Sequence, residues 1–487
     1  MPLTTTNKHT RRAFLERSAG LAVAGAAAPF AINLAAVGEA AAFNAPDYRA
    51  LVCVFLNGGS DYAHTVVTYD NDSYAKYAKI RGVSTGADSL VIPRTDLGGT
   101  VLKPTIPLAA SRQYALHPNM VGLADLFNRG KAAVQLNVGP LVQPLTRSQY
   151  QSADRARYPL PPHLFSHNDQ QSVWMSSSAE GSTQGWGGLA ADLALSSNSS
   201  ATFTCIAMSP VYGGNTVFLS GKSALSYVTG TSGAVSMGPL NYYGFLNAQS
   251  RDLFKTLVQK TSSDIIENEY ATIVRRSISA ASQLNTGIGG VTISSQFPTT
   301  NSLADGLKAV AKLIGARDAL GAKRQVFMVQ LGGFDLHDGL VAKQPELLKQ
   351  LSEAITAFYN STVELGVSDK VTLFTASDFG RALTPNGDGS DHGWGSHHFV
   401  VGGAVRGAAF YGTPPPVSVG DTSAPDDQWH VGQGRLLPST SVDQYAATLA
   451  SWFGVADSEL YGILPNLKNF GNNAVMPGYP INLGFMA

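Results

Sequence analysis

The sequence has few charged residues and no excess of either sign. Charged residues make up 14% of the 487 positions, and 34 basic residues balance 34 acidic ones. A general nucleic-acid-binding protein and a general anionic-membrane-binding protein both need a basic surface, so the balance of charges argues against both classes. The hydrophobic fraction of 44% is that of a globular protein with a sizeable core.

Cysteine is also scarce, which excludes a fold held together by a disulfide framework. The two cysteines, Cys53 and Cys205, lie in the apolar runs Leu51–Leu56 and Thr202–Met208. Both positions are typical of small core residues. A disulfide between the two is permitted outside the cytoplasm and stays open from the sequence. After residue 42, long apolar runs are absent, which excludes a membrane-spanning helix there.

The amino terminus has the three parts of an export signal. Arg11 and Arg12 precede an uncharged run rich in Ala and Gly, Ser18–Gly38, and three alanines end the segment before Phe43. This pattern predicts a twin-arginine signal peptide over residues 1–42, the twin-arginine translocase as a partner during export, and a periplasmic or extracellular protein. A membrane anchor is the alternative, but Ala and Gly contribute little transfer energy. Removing the segment leaves a net charge of about −2.

Five short apolar runs resemble buried parallel strands, because each adjoins a glycine-rich or polar loop. They are Leu51–Leu56, Ala132–Val138, Val326–Leu331, Val371–Ala376 and Phe399–Gly402. Helical apolar periodicity occurs in Leu303–Leu320 and Glu346–Leu365. Alternation of strands and helices at this spacing predicts an α/β fold with a parallel sheet covered on both faces.

The span from about 195 to 300 has a different composition. It is rich in Ser, Thr, Gly and Asn, with a helical stretch near Asp252–Leu284. We interpret it as an insertion or cap on a single domain that covers residues 43–487.

Acidic and histidine side chains cluster in the loops that adjoin the predicted strands. The residues are Asp61, Asp335, His337, Asp338, Asp378, Asp391, His392, His397 and His398. The carboxyl ends of parallel strands share one edge of the sheet, so these side chains predict a polar site that suits a divalent ion. Helix capping is the alternative for Asp335 and Asp378. His397 and His398 would point to opposite faces of a strand, so at most one serves a given site.

A second candidate segment follows two prolines, Pro161 and Pro162. Ser166 and Asp169 fit a capping box at the start of a helix that runs toward Trp174. A nucleophile would benefit from the same place, because a helix amino terminus stabilises an alkoxide and binds anions. The two interpretations of Ser166 are compatible.

Several motifs together resemble one known family over essentially the whole chain from about residue 46. With the export signal, the segments FLNGGSD, HLFSH, QLGGFDLH, SDFGR, DHGWGSHHFVVGGAVRG and DQYAATLASWFG are similar to the family catalogued as domain of unknown function 1501. That family is grouped with the alkaline phosphatase and sulfatase superfamily. The resemblance implies a three-layer α/β/α sandwich with a largely parallel central sheet, and hydrolysis of phosphate or sulfate esters at a metal site.

The resemblance also implies roles for individual residues. Asp335 and His337 look like one metal-binding pair, and Asp378 looks like a later metal-binding aspartate. Ser166 stands where the superfamily has its nucleophile, and His392 or His397 is similar to its late metal histidine.

The chain departs from the superfamily pattern at three points. Asn57 replaces an aspartate at the end of the first strand, with Asp61 four residues later. Phe379 replaces the histidine expected after Asp378, and the spacing in GGFDLHD is shorter than usual. These departures predict one metal site, on Asp335, His337 and His392, rather than two.

The sequence therefore predicts an exported metal-dependent hydrolase of phosphate or sulfate monoesters. Ser166 would attack the ester, Arg381 would stabilise the transferred charge, and zinc, manganese, calcium or magnesium would polarise the ester oxygens. The substrate would be a small anionic ester or a decorated polymer. The alternative is a catalytically inactive exported protein with the same fold, which binds a glycan, a surface polymer or a partner protein.

Overall fold

The computed structural model describes residue 43 and residues 45–82, 89–211, 215–234, 247–473 and 476–487. The predicted signal peptide, residues 1–42, lies outside the described residues. Within the described part, no helix combines the length and apolar composition required to cross a bilayer.

Strands of the described chain are numbered here in chain order. They are β1 Arg49–Leu56, β2 Val66–Thr68, β3 Tyr114–Leu116, β4 Ala132–Gly139, β5 Cys205–Met208, β6 Ser226–Gly230, β7 Gly233–Ala234, β8 Arg324–Leu331, β9 Val371–Ser377, β10 Arg381–Pro385, β11 Ser390–His392, β12 Ser396–Gly402, β13 Ala409–Tyr411 and β14 Thr440–Ser441. One sheet has the order β13-β4-β12-β9-β1-β8-β5-β6-β7, with β14 beside β4. Two further pairs, β10-β11 and β2-β3, stand apart from it.

Helices of the described chain are numbered in the same way. They are α1 Tyr62–Thr65, α2 Asn71–Arg81, α3 Val121–Asn128, α4 Arg147–Gln151, α5 His167–Ser176, α6 Trp186–Ala194, α7 Ala248–Val258, α8 Ile265–Gly289, α9 Ser302–Gly315, α10 Leu340–Glu364, α11 Val442–Phe453 and α12 Asp457–Ile463. Short 3-10 helices cover Arg94–Thr100, Ala109–Ser111, Leu195–Ser197, Ala201–Phe203, Val217–Leu219, Pro425–Trp429, Pro465–Asn469 and Gly471–Asn473.

The centre of the large sheet is parallel, as predicted. Strand β1 lies between β8 and β9, and Leu51 stands opposite Val326 on one side and Thr372 on the other. Strands β5 and β6 continue the parallel pairing beyond β8. The fifth predicted strand is the exception, because β12 runs antiparallel to both β9 and β4. The direction predicted for it was wrong. No helix separates β9 from β12, and a parallel neighbour requires a crossover connection.

Alternate residues of β1 pack into two separate cores, which divides the molecule into three layers. Val52 and Val54 belong to a core with apolar residues of α3, α9 and α10. Cys53 and Phe55 belong to a second core with residues of α5, α6 and α11. Because successive side chains of a strand point to opposite faces, helices cover both faces of the sheet. The fold is thus a three-layer α/β/α sandwich with a largely parallel sheet.

The span from about 195 to 300 contributes to the main sheet. Its strand β5 pairs with β8, and β6 and β7 extend the sheet to its edge. The span then continues through α7 and the long helix α8, whose Leu284 is buried in the first of the two cores.

Helix α11 is tied to two neighbouring segments by a buried carboxyl group. Ser441 and Gln444 form a capping box at its start. Asp443, which is 1% exposed, accepts hydrogen bonds from Ser177 Oγ at 3.1 Å and from the Asn466 amide at 3.2 Å. Burial raises the pKa of Asp443 to about 6, because the ionised form loses its hydration.

Candidate metal centre

The candidate site lies where the parallel strands β1, β8 and β9 end and where the reversed strand β12 begins. Loops after these strands carry Asp335 and Asp378, and His392 lies just before β12. The amino terminus of α5 adds His167, the first residue of that helix. This placement follows the general rule that sites of open α/β sheets form outside the carboxyl ends of the strands.

His167 connects the two aspartates. Its Nδ1 atom lies 2.5 Å from Asp378 Oδ2, and its Nε2 atom lies 3.3 Å from Asp335 Oδ2. The second contact lacks hydrogen-bond geometry, and Nε2 has no hydrogen-bond partner among the described residues. The bond to Asp378 is the main cause that raises the pKa of His167. In the neutral ring with Nδ1 donating to Asp378, Nε2 keeps a lone pair that faces Asp335.

His392 is oriented in a similar way by a backbone carbonyl. Its Nδ1 atom lies 2.8 Å from the carbonyl oxygen of Phe165, and its Nε2 atom lies 3.2 Å from Asp335 Oδ1. Phe165 has a positive φ of 74°, an uncommon conformation for a bulky residue. Burial is the main cause that lowers the pKa of His392, which favours neutral imidazole with the Nε2 lone pair facing inward.

His337 adds a third imidazole at the exposed side of the cluster. Its Nε2 atom lies 2.9 Å from His392 Nε2 and 3.1 Å from Asp335 Oδ1. Its Nδ1 atom lies 3.6 Å from Asp391 Oδ1. An acidic group behind a histidine is a common support for a metal-binding ring, so Asp391 stands behind His337 rather than beside the other ligand atoms.

Arg381 provides a positive charge fixed beneath Asp335. It is 1% exposed, and its Nη1 atom donates to Asp335 Oδ1 at 2.7 Å and to the Gly58 carbonyl at 3.0 Å. Its Nη2 atom donates to the Ser390 carbonyl. Burial opposes ionisation of Asp335, but Arg381 and His167 outweigh it and lower the pKa of that carboxyl group. Arg381 therefore holds Asp335 in place, and its described contacts do not extend toward a substrate.

Asp378 lies deepest in the site and is fully buried. Its Oδ2 atom accepts hydrogen bonds from the Gly58 amide at 3.2 Å and from Gln171 Nε2 at 3.1 Å, besides its contact with His167. Its Oδ1 atom has no partner among the described residues. The ring of Phe379 packs against His167 and His392, with centroid distances of 4.8 and 4.5 Å. The ring of Phe379 thus borders both candidate ligand rings.

The cluster meets the requirements of a single cation site. Ligand atoms of His167, Asp335 and His392 all lie within 4.8 Å of one another. The nitrogen lone pairs face the carboxylate oxygens, and two lone pairs that face each other repel unless a proton or a cation lies between them. The buried Nε2 atom of His167 without a partner fits this donor set. Imidazole and carboxylate ligands suit zinc or manganese.

The structure gives two of the predicted ligands other partners. Asp61 caps α1 and forms a two-pronged ion pair with Arg81, at 2.8 and 2.9 Å, where both side chains are buried. His397 accepts a hydrogen bond from the Asn137 amide at 3.1 Å and packs on Tyr62. Neither side chain joins the cluster of His167, Asp335 and His392.

His398 points to the other face of its strand, as expected. Its ring packs on Trp174, whereas the ring of His397 packs on Tyr62. The two histidines thus lie in different cores.

Ser166 precedes α5 and bonds to Asp169 instead of capping the helix backbone. Its Oγ atom donates to Asp169 Oδ2 at 2.9 Å, and no hydrogen bond joins the Ser166 side chain to the helix amides. His163 Nδ1 lies 3.0 Å from the other oxygen of Asp169. The predicted start of the helix is right, but the predicted capping hydrogen bond is not formed. The Ser166 hydroxyl is paired with a carboxylate next to the candidate metal ligand His167.

His167 is the member of the cluster that was not predicted from the sequence. The motif HLFSH was considered only for its serine, although its second histidine directly follows that serine. Two prolines shortly before a helix restrict the backbone, and a histidine in the first turn of that helix is therefore held rigidly. This position could have indicated His167 as a candidate ligand from the sequence alone.

Comparison with known proteins gives matches of different strength. No curated protein matches the chain. Among solved structures, Ps i-CgsB in complex with k-i-k-neocarrahexaose is 12% identical, with a TM-score of 0.32, over 86% of this chain and 76% of that one. The lipoteichoic acid synthase LtaP from Listeria monocytogenes is 8% identical, with a TM-score of 0.30, over 85% and 74% of the two chains. At these TM-scores the matches carry no argument about function.

The family comparison is the one that assigns the chain. The model of the family described as "Protein of unknown function (DUF1501)" matches residues 48–455, from β1 to just beyond α11. This range includes every residue of the cluster, the Ser166–Asp169 pair and Arg381. The chain therefore belongs to the DUF1501 family.

Proposed function

We propose that the chain is an exported hydrolase of phosphate or sulfate monoesters that depends on a divalent ion, and that its fold relates it to alkaline phosphatases and sulfatases. The observation that carries the proposal is the convergence of His167, Asp335 and His392, with ligand atoms within 4.8 Å of one another. Two imidazole nitrogens and a carboxylate that converge at the carboxyl ends of the strands form the mixed nitrogen and oxygen donor set that zinc or manganese binds.

In this proposal His167, Asp335 and His392 hold the ion, and His337 is close enough to act as a fourth ligand. A bound divalent ion would polarise the ester oxygens and favour ionisation of a nearby hydroxyl group. Arg381 keeps Asp335 ionised and oriented through the 2.7 Å hydrogen bond. Asp378 and the Phe165 carbonyl fix the rings of His167 and His392 from behind, which is how supporting groups usually orient metal-binding histidines.

Ser166 is the proposed nucleophile and Asp169 its proton acceptor. As Oγ forms its bond to phosphorus or sulfur, the hydroxyl proton moves along the existing 2.9 Å hydrogen bond to Asp169. The ester bond to the alcohol breaks, and the departing oxygen takes a proton from water. Hydrolysis of the ester formed on Ser166 then releases phosphate or sulfate and restores the hydroxyl group.

The first test compares metal content and ester hydrolysis in matched variants of the processed protein. We expect close to one zinc or manganese ion per chain, and release of nitrophenol from nitrophenyl phosphate or nitrophenyl sulfate. Asp335→Asn and His167→Gln should lose the ion and the activity. Asp338→Asn is the matched control, because Asp338 is exposed in the same loop. Wild-type metal content in both site variants would overturn the proposal.

The second test separates the nucleophile from a structural role. Because Ser166 makes no capping hydrogen bond, Ser166→Ala should cost less stability than a lost cap, which is worth about 0.5–2 kcal/mol. Turnover should nevertheless fall by several orders of magnitude while the ion stays bound. A Ser166→Ala protein that keeps most of its activity would exclude Ser166 as the nucleophile.

A second candidate function is a binding protein that holds an ion without turnover. The observation in its favour is Phe379, whose ring occupies the place of a superfamily metal ligand between His167 and His392. Stoichiometric metal with no hydrolysis of either nitrophenyl ester would favour this function over the first.

A further inference from the structure

A polar cavity lies beside α5 and shares the side chain of Gln171 with the candidate metal centre. Its volume is about 320 Å³. The polar residues that line it are Asn168, Gln171, Ser172, Glu180, Ser182 and Asn215. Val217 is the apolar side chain in the lining.

Several polar groups in this cavity have no partner in the described part of the chain. Asn168 and Glu180 are exposed, and their side chains form no hydrogen bond with a described residue. Gln171 uses its Nε2 atom on Asp378, and its Oε1 atom bonds to no described group. Asn215 accepts a hydrogen bond from the Val217 amide through Oδ1, which leaves its amino group available. Donors and acceptors are therefore both presented to a ligand.

Gln171 connects the cavity to the metal centre. The same side chain lines the cavity and donates to Asp378 Oδ2 at 3.1 Å. Asn168 lies on the first turn of α5, directly after the candidate ligand His167 and two residues after Ser166. An ester held at the metal centre would therefore lie close to a side chain that also lines this cavity.

We infer that the cavity is the subsite for the alcohol part of the ester, and that it takes one uncharged sugar ring. The inference rests on the proposed function. Adjacent donors and acceptors match a ring that carries several hydroxyl groups, since each hydroxyl both donates and accepts. A lipid chain or an apolar peptide side chain would find only Val217. The volume is at the small end of the roughly 300–1,000 Å³ range of ligand pockets, which fits one ring rather than an oligomer.

The charge of the cavity favours a neutral sugar over a charged one. Glu180 is the charged residue in the lining, and its carboxylate can accept hydrogen bonds from sugar hydroxyls. A second carboxylate or sulfate on the sugar would face Glu180 with no lining cation to balance it. The lining also lacks an aromatic ring on which a sugar could stack, so we expect affinity in the millimolar range.

The test measures binding of unreactive sugars, so that it does not depend on hydrolysis. The probes are the methyl glycosides of glucose, galactose, mannose and N-acetylglucosamine, with methyl glucuronide as the charged counterpart. Saturation-transfer NMR on the processed protein should detect at least one neutral glycoside. Methyl glucuronide should bind at least tenfold more weakly than the best of them.

Two variants then locate the binding. Asn168→Leu should weaken binding of the neutral glycoside at least tenfold, because it removes both polar groups of an exposed side chain without disturbing the core. Glu180→Gln should retain the neutral glycoside and bring methyl glucuronide to within about threefold of it. Glu353→Gln, an exposed change on α10, should alter neither.

Three outcomes would overturn the inference: no neutral glycoside binds, Asn168→Leu binds like the wild type, or methyl glucuronide binds as well as the neutral sugars. The Asp335→Asn variant distinguishes a failure of this inference from a failure of the proposed function. That variant should lose the metal ion yet still bind the glycoside, so an inactive protein that binds sugar would contradict only the hydrolase.

Discussion

Replacing Asp61 should damage the fold and leave the metal centre intact. Asp61 accepts two hydrogen bonds from Arg81, at 2.8 and 2.9 Å, and the two side chains are 2% and 0% exposed. Burial opposes ionisation of Asp61, but the Arg81 guanidinium outweighs it and lowers the pKa of the carboxyl group. Asp61→Ala therefore leaves a buried guanidinium without a counter-charge.

The expected cost has two parts. Removing one partner of a buried ion pair costs about 3–5 kcal/mol. Asp61 also caps α1 through the amides of Ala63 and His64, and a lost cap costs about 0.5–2 kcal/mol. We expect the free energy of unfolding of Asp61→Ala to fall by the sum of both costs. For Asp61→Asn it should fall mainly by the cost of the broken ion pair, because the amide oxygen of asparagine can still accept hydrogen bonds from the helix amides.

Urea unfolding of the two single variants and of Asp61→Asn/Arg81→Met measures these terms. The methionine removes the unpaired charge, and a buried pair replaced by apolar groups is often neutral in stability, so the double variant should regain most of the loss. Metal content per folded chain should equal that of the wild type in all three. A stability loss below about 1 kcal/mol for Asp61→Asn would refute the ion-pair argument. Loss of metal from a folded variant would instead make Asp61 a ligand.

Other predictions concern titration, thiols and export. In the folded state the pKa of Asp443 is about 6, above its ordinary value of 3.8, so the folded chain binds this proton more tightly than the unfolded chain does. The free energy of unfolding therefore falls as the pH rises from 3.8 to 6. Asp443→Asn should therefore gain up to about 3 kcal/mol over the wild type in urea unfolding at pH 7.5, and much less at pH 4. Cys53 and Cys205 are buried free thiols, so a thiol reagent should label neither cysteine in the native protein and both cysteines after denaturation in urea. Labelling of fewer than two cysteines in urea would indicate a disulfide. Replacing Arg11 and Arg12 by lysine should leave unprocessed protein in the cytoplasm, and normal delivery of the processed form would contradict the twin-arginine prediction.

Most of the fold was predictable because its central strands are short, apolar and bounded by glycine-rich loops. The predicted Val326–Leu331 and Val371–Ala376 lie within β8 and β9, and both pair with β1 as neighbours in a parallel sheet. The direction of β12 was not predictable from its composition. A buried strand is apolar on both faces whichever way it runs, and only the absence of a helix before it indicates the reversal.

The site was predictable in its position but not in its pairings. Asp335, His337 and His392, which the sequence assigned to strand-end loops, lie close together, and their role as metal ligands stays a prediction. Asp61 follows a strand in the same way, yet it pairs with Arg81, twenty residues later on the buried side of α2. Sequence spacing cannot show that Asp61 meets the buried Arg81, because this contact depends on how α2 packs against the rest of the protein.

The reversal of β12 also bears on how such a site diversifies. The chain leaves the sheet at Ser377 and re-enters it at Ser396, and both ends lie at the same edge. Residues 378–395 therefore connect two strand ends at the same edge of the sheet, and this single connection supplies Asp378, Arg381, Asp391 and His392. Between fixed anchors, substitutions and length changes can accumulate with little effect on sheet pairing. Relatives with the same sheet can thus acquire new chemistry by exchanging this one segment.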